Sequence, residues 1–528
     1  MGDESGERQG DRGDRGDRGG GGSGLEGAEA PRPPAWRWRD LPTGFVIDDS
    51  PVAPAPPGLE AALGRALEAM VALEAGAVAN PDEGRQVGHY WLRSPELAPD
   101  NLGAEIEAVW ARLEDLERGP HEDLLLIGIG GSALGPQLLA HALARRGDPM
   151  RLHFLDNTDP EGISTVLDGL DPRRTLVLVV SKSGGTVETH NGMLAAMARW
   201  AAAGEPFEPH AIAITMEGSV LDRLASGASG TPPWRDRLPL WDWVGGRTSL
   251  CSAVGLLPMA LCGWDWRAFI AGAREMDALG RQALVQNPAA RLAAAWYREG
   301  RGRGERNLVI EPYRDRFLLL GRYLQQLVME SIGKELDREG RTVHQGLLVY
   351  GNKGSTDQHA FIQQVRDGRD DSLVIFVETD ECGPELRVGP DLLAGDHLLG
   401  FLYGTRAALE EAGRPSLTLQ VPDVSARSLG MLVALFERAV GIYAELVGIN
   451  AYHQPGVEAG KKGAKRIVAA LGQLQELLGE DLRETDFFAR STGLEVGLAW
   501  RLLSHLVATG RARSLRSAEW AEDRFSRA

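Results

Sequence analysis

Two short stretches carry polar residues in an arrangement suited to gripping an anion. In LLLIGIGGSALGPQLL (residues 124–139) an apolar run ends in glycines and leads into a helical pattern, with Ser132 expected at the helix N-cap. Glycines let backbone N–H groups come close to a ligand, and the start of a helix adds favourable potential for negative charge. In VLVVSKSGGTVET (177–189) Ser181, Lys182, Ser183 and Thr186 cluster where another apolar run gives way to the next helix. Three hydroxyls and an ammonium suit a phosphate. Alone, a glycine-rich turn after a strand is more often merely a tight turn, and a Ser/Thr/Gly-rich loop is a common solvated connection. Together, two strand ends of one parallel sheet bring such loops to the same carboxyl edge, where open α/β sheets bind ligands. The third glycine of the dinucleotide fingerprint G-x-G-x-x-G is missing, and so is the Walker pattern of glycines ending in Lys-Ser/Thr. A nucleotide cofactor or phosphoryl transfer is therefore not expected.

GIGGSALGP and SKSGGTVET resemble the corresponding loops of the glucose-6-phosphate isomerase (phosphoglucose isomerase) family. Four further blocks follow in that family's order, WVGGRTSLCSAVGLLP, QQLVMESIGK, DQHAFIQQ and HQPGVEAGKKGAK, so the resemblance spans about residues 90 to 510. It implies reversible isomerisation of D-glucose 6-phosphate and D-fructose 6-phosphate, a step of glycolysis and gluconeogenesis, by ring opening and a cis-enediol, with no metal or other cofactor. It places Gly131, Ser132, Ser181, Lys182, Ser183 and Thr186 around the substrate phosphate or its neighbouring hydroxyls. Gly246, Gln326 and Gln454 would be further substrate contacts.

The same resemblance assigns the catalytic groups, and each assignment makes chemical sense. Moving a proton between C2 and C1 needs one base on one face of the sugar, and Glu330 resembles the family's base. An enediolate carries negative charge on oxygen, so a fixed cation stabilises the transition state more than the ground state. Arg247, after Gly245 and Gly246, resembles that cation, and a guanidinium does not compete as an acid. Opening the sugar ring needs a proton on the ring oxygen and one off the C1 hydroxyl, and His359 and Lys461 resemble the family's pair for this step. The family's members are homodimers in which each site's histidine comes from the other subunit, so His359 is expected to act in trans. The chain departs from the family at Ile332, where asparagine is frequent, and in GNKGSTDQH (351–359). Both bear on substrate tuning, and activity on mannose 6-phosphate stays open. A non-catalytic sugar-phosphate-binding regulator would keep the phosphate loops and lose the base; Glu330, His359, Arg247 and Lys461 are all present.

Elements must hold these residues in place. Residues 1–35 repeat Gly, Arg and Asp with almost nothing to bury and are expected to form a disordered tail. Residues 36–118 read as helical, with apolar positions recurring at three and four in 60–79 and 102–119. Apolar runs at 123–130, 152–157, 175–184 and 211–215 then alternate with helical segments, as in a parallel βαβ sheet, and set off a first α/β domain over 119–285. A second series at 307–312, 345–350, 372–379 and 416–423 sets off another over 286–450. Residues 451–528 read as a helical segment that completes the active site. The fold class is α/β, with two sugar-isomerase (SIS) type doubly wound parallel-sheet domains and added helices at both ends.

The bulk numbers agree. A chain of 528 residues exceeds what one growing core usually serves, and 43% hydrophobic with 25% charged residues is ordinary for a globular protein. Acidic residues outnumber basic ones 74 to 57, and a net charge of −17 argues against nucleic acid as a partner. An anionic small molecule needs the field reversed locally, which is what the two loops offer. Three cysteines, Cys251, Cys262 and Cys382, show no metal-binding spacing and suit a reducing compartment. No basic segment followed by an apolar stretch opens the chain, and no apolar run reaches 18 residues. The expected location is cytoplasmic, with no membrane partner.

Overall fold

The computed structural model describes residues 37–50 and 52–528, apart from the side chains of residues 37, 457–459 and 461. The expected tail, 1–35, lies outside the described residues. The described residues open with two short strands, β1 (Arg37–Arg39) and β2 (Val46–Asp48), where the sequence reading has helix. Three residues each are too few for a period of two to declare itself. The expected helices follow at Leu59–Glu74 and Leu102–Asp115.

The first sheet consists of β3 (Asp123–Ile127), β4 (Arg151–Leu155), β5 (Thr175–Val180), β6 (Ala211–Thr215) and β7 (Asp236–Pro239). All pair in parallel in the order β4-β3-β5-β6-β7. Its central strands are unbroken apolar runs because helices cover both faces. Leu124, Leu126, Leu176 and Leu178 face a core shared with the rest of the molecule, while Leu125, Ile127, Val177 and Val179 face a smaller core with Trp200 and Phe207. β7, with the sequence DRLP, is too short and polar to show in the pattern.

The second sheet adds β8 (Asn307–Pro312), then a hairpin of β9 (Lys334–Leu336) and β10 (Thr342–Gln345) outside it, then β11 (Val349–Tyr350), β12 (Ser372–Thr379) and β13 (Ser416–Val421). Its order is β1-β2-β13-β12-β8-β11; β13, β12, β8 and β11 pair in parallel, while β2 pairs in antiparallel register with both β13 and β1. The expected strand over 345–350 is divided: Gln345 ends the hairpin on β9, Gly346 interrupts, and only Val349 and Tyr350 pair with β8.

A helix at Ala426–Val447, buried along most of its length, packs on the helix Trp266–Gly280 through glycine contacts. A Cβ on Gly272 would lie 1.9 Å from the Arg427 carbonyl oxygen, and one on Gly430 2.0 Å from that of Phe269. Leu308, Ile310, Leu373 and Leu417 of the second sheet join the same core as Leu124 and Leu178 of the first. Inside it lies an ion network: Arg93 donates to Asp277 at 2.6 and 2.9 Å, Arg438 donates to the same carboxylate at 2.5 Å, and Arg93 also meets Glu437. Burial would raise Asp277, yet Arg438 and Arg93 hold its carboxyl down to about 2. Removing one partner of such a buried group leaves an uncompensated charge.

The C-terminal part has the expected helices, Pro455–Leu477 and Val496–Ala508, with Thr485–Thr492 between. It also has a small antiparallel sheet of β14 (Arg483–Glu484), β15 (Ala512–Leu515) and β16 (Arg524–Arg527). These strands are short and rich in arginine, so hydropathy did not mark them. Among the described residues no helix is long and apolar enough to cross a membrane.

Candidate active site

The chain leaves β3 through Gly128–Ser132. Gly130 takes φ +58°, a conformation that costs glycine little, and a 3-10 turn follows over Gly130–Ser132. The helix begins only at Leu134, with Ala133 in the cap position and no side-chain cap bond. Ser132 is therefore not the N-cap: the turn started by Gly130 takes up the first residues of the helical pattern. Gly131 lies flat on a second loop, where a Cβ would sit 2.0 Å from the Gly246 carbonyl oxygen and 2.9 Å from the Arg247 nitrogen. The Ser249 hydroxyl donates to Gly246 O at 2.8 Å and to Gly131 O at 3.3 Å, tying the two loops together.

The loop after β5 is folded on itself. The Ser181 hydroxyl accepts from Gly184 N at 3.1 Å and lies 3.4 Å from that of Thr186. Thr186 caps the helix Val187–Ala202 by position, without a side-chain cap bond. Ser183 is exposed, its hydroxyl accepting from Gly185 N at 3.2 Å, and Thr186 is half-buried. The Lys182 ammonium donates to Asp242 O at 2.6 Å and Val244 O at 2.9 Å. Burial, then the nearby Arg85 charge, lower it to about 8. Lys182 thus fastens this loop to the segment 242–247, on which Gly131 also rests.

From that segment Arg247 reaches inward and is almost fully buried. Its Nε lies 3.2 Å from Glu330 Oε2, and its Nη atoms donate to Ala451 O at 3.0 Å, Ser331 Oγ at 3.3 Å and His453 O at 3.4 Å. Burial lowers Arg247 to about 10, with Glu330 opposing, which leaves it charged at neutral pH. Glu330 follows a π-helical turn, Gln325–Met329, inserted into its helix. Such insertions recur at functional sites because they re-aim side chains. Its Oε2 accepts from Gln454 Nε2 at 3.1 Å, and its side chain keeps 28% of its exposure, enough to meet a ligand. Gln326, half-buried, points its amide at Gly130, coming within 3.0 Å of where a Cβ there would lie.

The structure thus brings together Glu330, Arg247, Gln454, Gln326, Gly131, Gly246 and Ser132, with Ser181, Lys182, Ser183 and Thr186 fastened to the same strut. His359 ends the turn Asp357–His359 beyond β11, its ring exposed, and among the described residues no hydrogen bond joins it to Glu330. Lys461 belongs to the helix Pro455–Leu477, but its side chain lies outside the described residues. Lys334 escaped the sequence reading although it closes the MESIGK block. Its ammonium donates to the carbonyls of Glu330 at 2.6 Å and Ser331 at 2.9 Å, ending the helix that carries the base. Burial, then Arg247, lower it to about 7. Among the described residues no cluster of His, Cys, Asp and Glu is arranged to hold a metal ion. A partly exposed carboxylate can take a proton from carbon next to a carbonyl, and a fixed cation beside it can stabilise the resulting oxyanion.

Similarity to known proteins points the same way. The family model for phosphoglucose isomerase matches residues 67–378 and 407–483. A glucose-6-phosphate isomerase from Geobacter sulfurreducens is 53% identical over 456 residues, which is 82% of this chain and 85% of the relative. One from Rippkaea orientalis is 50% identical over 473 residues, 85% of this chain and 89% of the relative. The crystal structure of a glucose-6-phosphate isomerase from Chlamydia trachomatis superposes with a TM-score of 0.73 at 26% identity, over 81% of this chain and 89% of that one. The sequence blocks, the paired parallel sheets and these matches together show that the chain belongs to the phosphoglucose isomerase family.

Proposed function

We infer that the protein interconverts D-glucose 6-phosphate and D-fructose 6-phosphate, and that Glu330 is the base that carries the proton between C2 and C1. The observation that carries this reading is the Glu330 carboxylate, held by Arg247 and Gln454 on a strut shared with both anion loops. The phosphate would lie against Ser181, Ser183, Thr186 and the first N–H groups of the helix Val187–Ala202, with Gly131, Ser132 and Gly246 nearer the sugar. Since the ammonium of Lys182 is occupied by two carbonyls, its contribution is the loop's shape, its charge, and any proton left over from those bonds. Arg247 offsets the negative charge that develops on oxygen, and Gln326 and Gln454 orient the hydroxyls. His359 and Lys461 open the ring. The exposed His359 ring, with no side-chain hydrogen bond among the described residues, supports its service in the site of a second subunit of a homodimer.

A coupled assay tests the activity: fructose 6-phosphate supplied to the purified protein, glucose 6-phosphate detected, EDTA present. Turnover is expected. Its failure with folded protein would overturn the reading.

A further inference from the structure

β8 carries a carboxyl group where its apolar pattern calls for none. Its side chains alternate: Leu308 and Ile310 face the shared core, while Val309 and then Tyr313 pack with Val365, Val374 and Phe376 on the other side. Glu311 falls on that second face, 1% exposed, and its Oε1 has no hydrogen-bond partner. Gly354 N donates to Pro312 O at 2.9 Å, which sets the loop carrying Asp357, also 1% exposed, against β8 next to Glu311. Asp357 in turn accepts from Asn352 N at 2.7 Å, Lys353 N at 3.1 Å and Asn352 Nδ2 at 3.1 Å. Two ionised carboxylates cannot lie side by side in a dry interior. Burial, then the Asp357 charge, push Glu311 up to about 9. Three N–H donors converge on Asp357, so the proton between the two rests on Glu311.

Among the described residues the other titratable groups on this face are Tyr313 on the same chain segment and Tyr350 on β11, both raised by burial and so uncharged over the same range, and Glu378 on β12, which accepts from the Tyr403 hydroxyl at 3.1 Å. The Lys353 ammonium is engaged by Asp315 at 2.8 Å. The helix Ala394–Glu411 offers Tyr313 the Thr405 hydroxyl and the Phe401 carbonyl, and no charge.

What Asp357 holds is an unusual loop. Gly351 has φ +114°, and a Cβ there would lie 2.2 Å from Ile310 O. A Cβ on Gly354 would fall 2.1 Å from the Tyr313 ring, and Ser355 takes φ +67°, strained for a residue with a side chain. This chain folds round the Asp357 carboxylate and ends on His359.

We propose that Glu311 and Asp357 are an acid pair sharing one proton, and that this proton fixes the loop 351–359 in the shape that presents His359. Glu311 is then a positioning residue for ring opening, a role that rests on the reading of His359 given above. In alkaline solution the O–H bond of Glu311 breaks, the proton passes to hydroxide, and repulsion between the two carboxylates loosens the loop.

The test is the dependence of kcat on pH, from 6 to 11, for wild type, Glu311→Gln, Asp357→Asn and His359→Gln. Either pair variant replaces two facing carboxyls by an amide and a carboxyl, which bond without a shared titrating proton. At pH 7 Glu311→Gln should stay within about threefold of wild type. At pH 10 wild type should fall about tenfold further from its plateau than either pair variant, since the loss of charge on Lys182 and Arg247 is common to all. A second readout keeps the idea open to refutation should one variant fold poorly. Native Glu311 binds a proton that the unfolded chain releases between about pH 4.5 and 9, so wild-type stability falls with rising pH across that window. The Tm of Glu311→Gln should therefore gain on that of wild type from pH 6 to pH 9. Alkaline limbs that coincide in all the folded variants, together with a Tm gap independent of pH, would overturn the pair. Undiminished turnover of ring-closed substrate by His359→Gln would instead overturn the role of His359, and the pair's part in catalysis with it.

Discussion

Arg247 and Glu330 make a pair whose parts are not interchangeable. The guanidinium reaches Glu330 with one nitrogen and spends its others on Ala451, Ser331 and His453, so its plane is fixed. Arg247→Lys should lower kcat by about a hundredfold and KM by little, because an ammonium cannot keep that placement against developing charge. A rise confined to KM would contradict this. Lys334 allows a test by pH. Its native state gives up the proton near pH 7, while the unfolded chain holds one up to 10.5, so the unfolded state binds more protons in between and stability rises with pH there. From pH 7 to 9 wild type should gain about 2 kcal/mol over Lys334→Met, read from unfolding midpoints. A constant difference would mean that Lys334 is charged throughout. Glu330, Arg247 and His359 were legible through the resemblance of their blocks to the family's, since by its own neighbours each would pass for an ordinary glutamate, arginine or histidine. Lys334 was not legible, because a lysine after Gly333 looks like a solvated helix end until the fold buries it.

The elements act by bringing backbone against backbone. Gly131 on Gly246 is the clearest case: Gly131→Ala must push apart the two loops that Ser249 ties, and kcat/KM should fall at least about a hundredfold, with a lowered Tm beside it. Near-normal kcat/KM would show that the contact is not needed. At the helix pair Gly272→Ala should leave the site chemistry alone and cost about 2 to 3 kcal/mol of stability, because its Cβ meets the Arg427 carbonyl. An unchanged Tm would mean that the helices can part freely. Parallel strands such as TLVLVV and SLVIFVET were readable because burial on both faces leaves them apolar throughout. The strands at 37–48 and 483–527 were not, being short, edge-paired or charged. The π-helical turn before Glu330 leaves no mark in hydropathy either, and the one-turn spacing of Gln326 and Glu330 gave only their common neighbourhood.

At the scale of the molecule, two parallel sheets face one core through the helix Ala426–Val447, and the anion loops come from the first sheet while the His359 loop comes from the second. If that histidine serves a partner's site, two inactive variants should rescue each other. Glu330→Ala and His359→Ala chains refolded together and assorting at random should regain about a quarter of wild-type activity, from one intact site in about half of the dimers. No recovery would place His359 in its own chain's site. The central claim, that Glu330 passes a proton between C1 and C2, is tested most directly by isotope. Fructose 6-phosphate turned over in heavy water should give glucose 6-phosphate carrying deuterium at C2, while Glu330→Gln should still bind the sugar phosphate and form none. Product free of deuterium, or continued turnover by Glu330→Gln, would contradict the account.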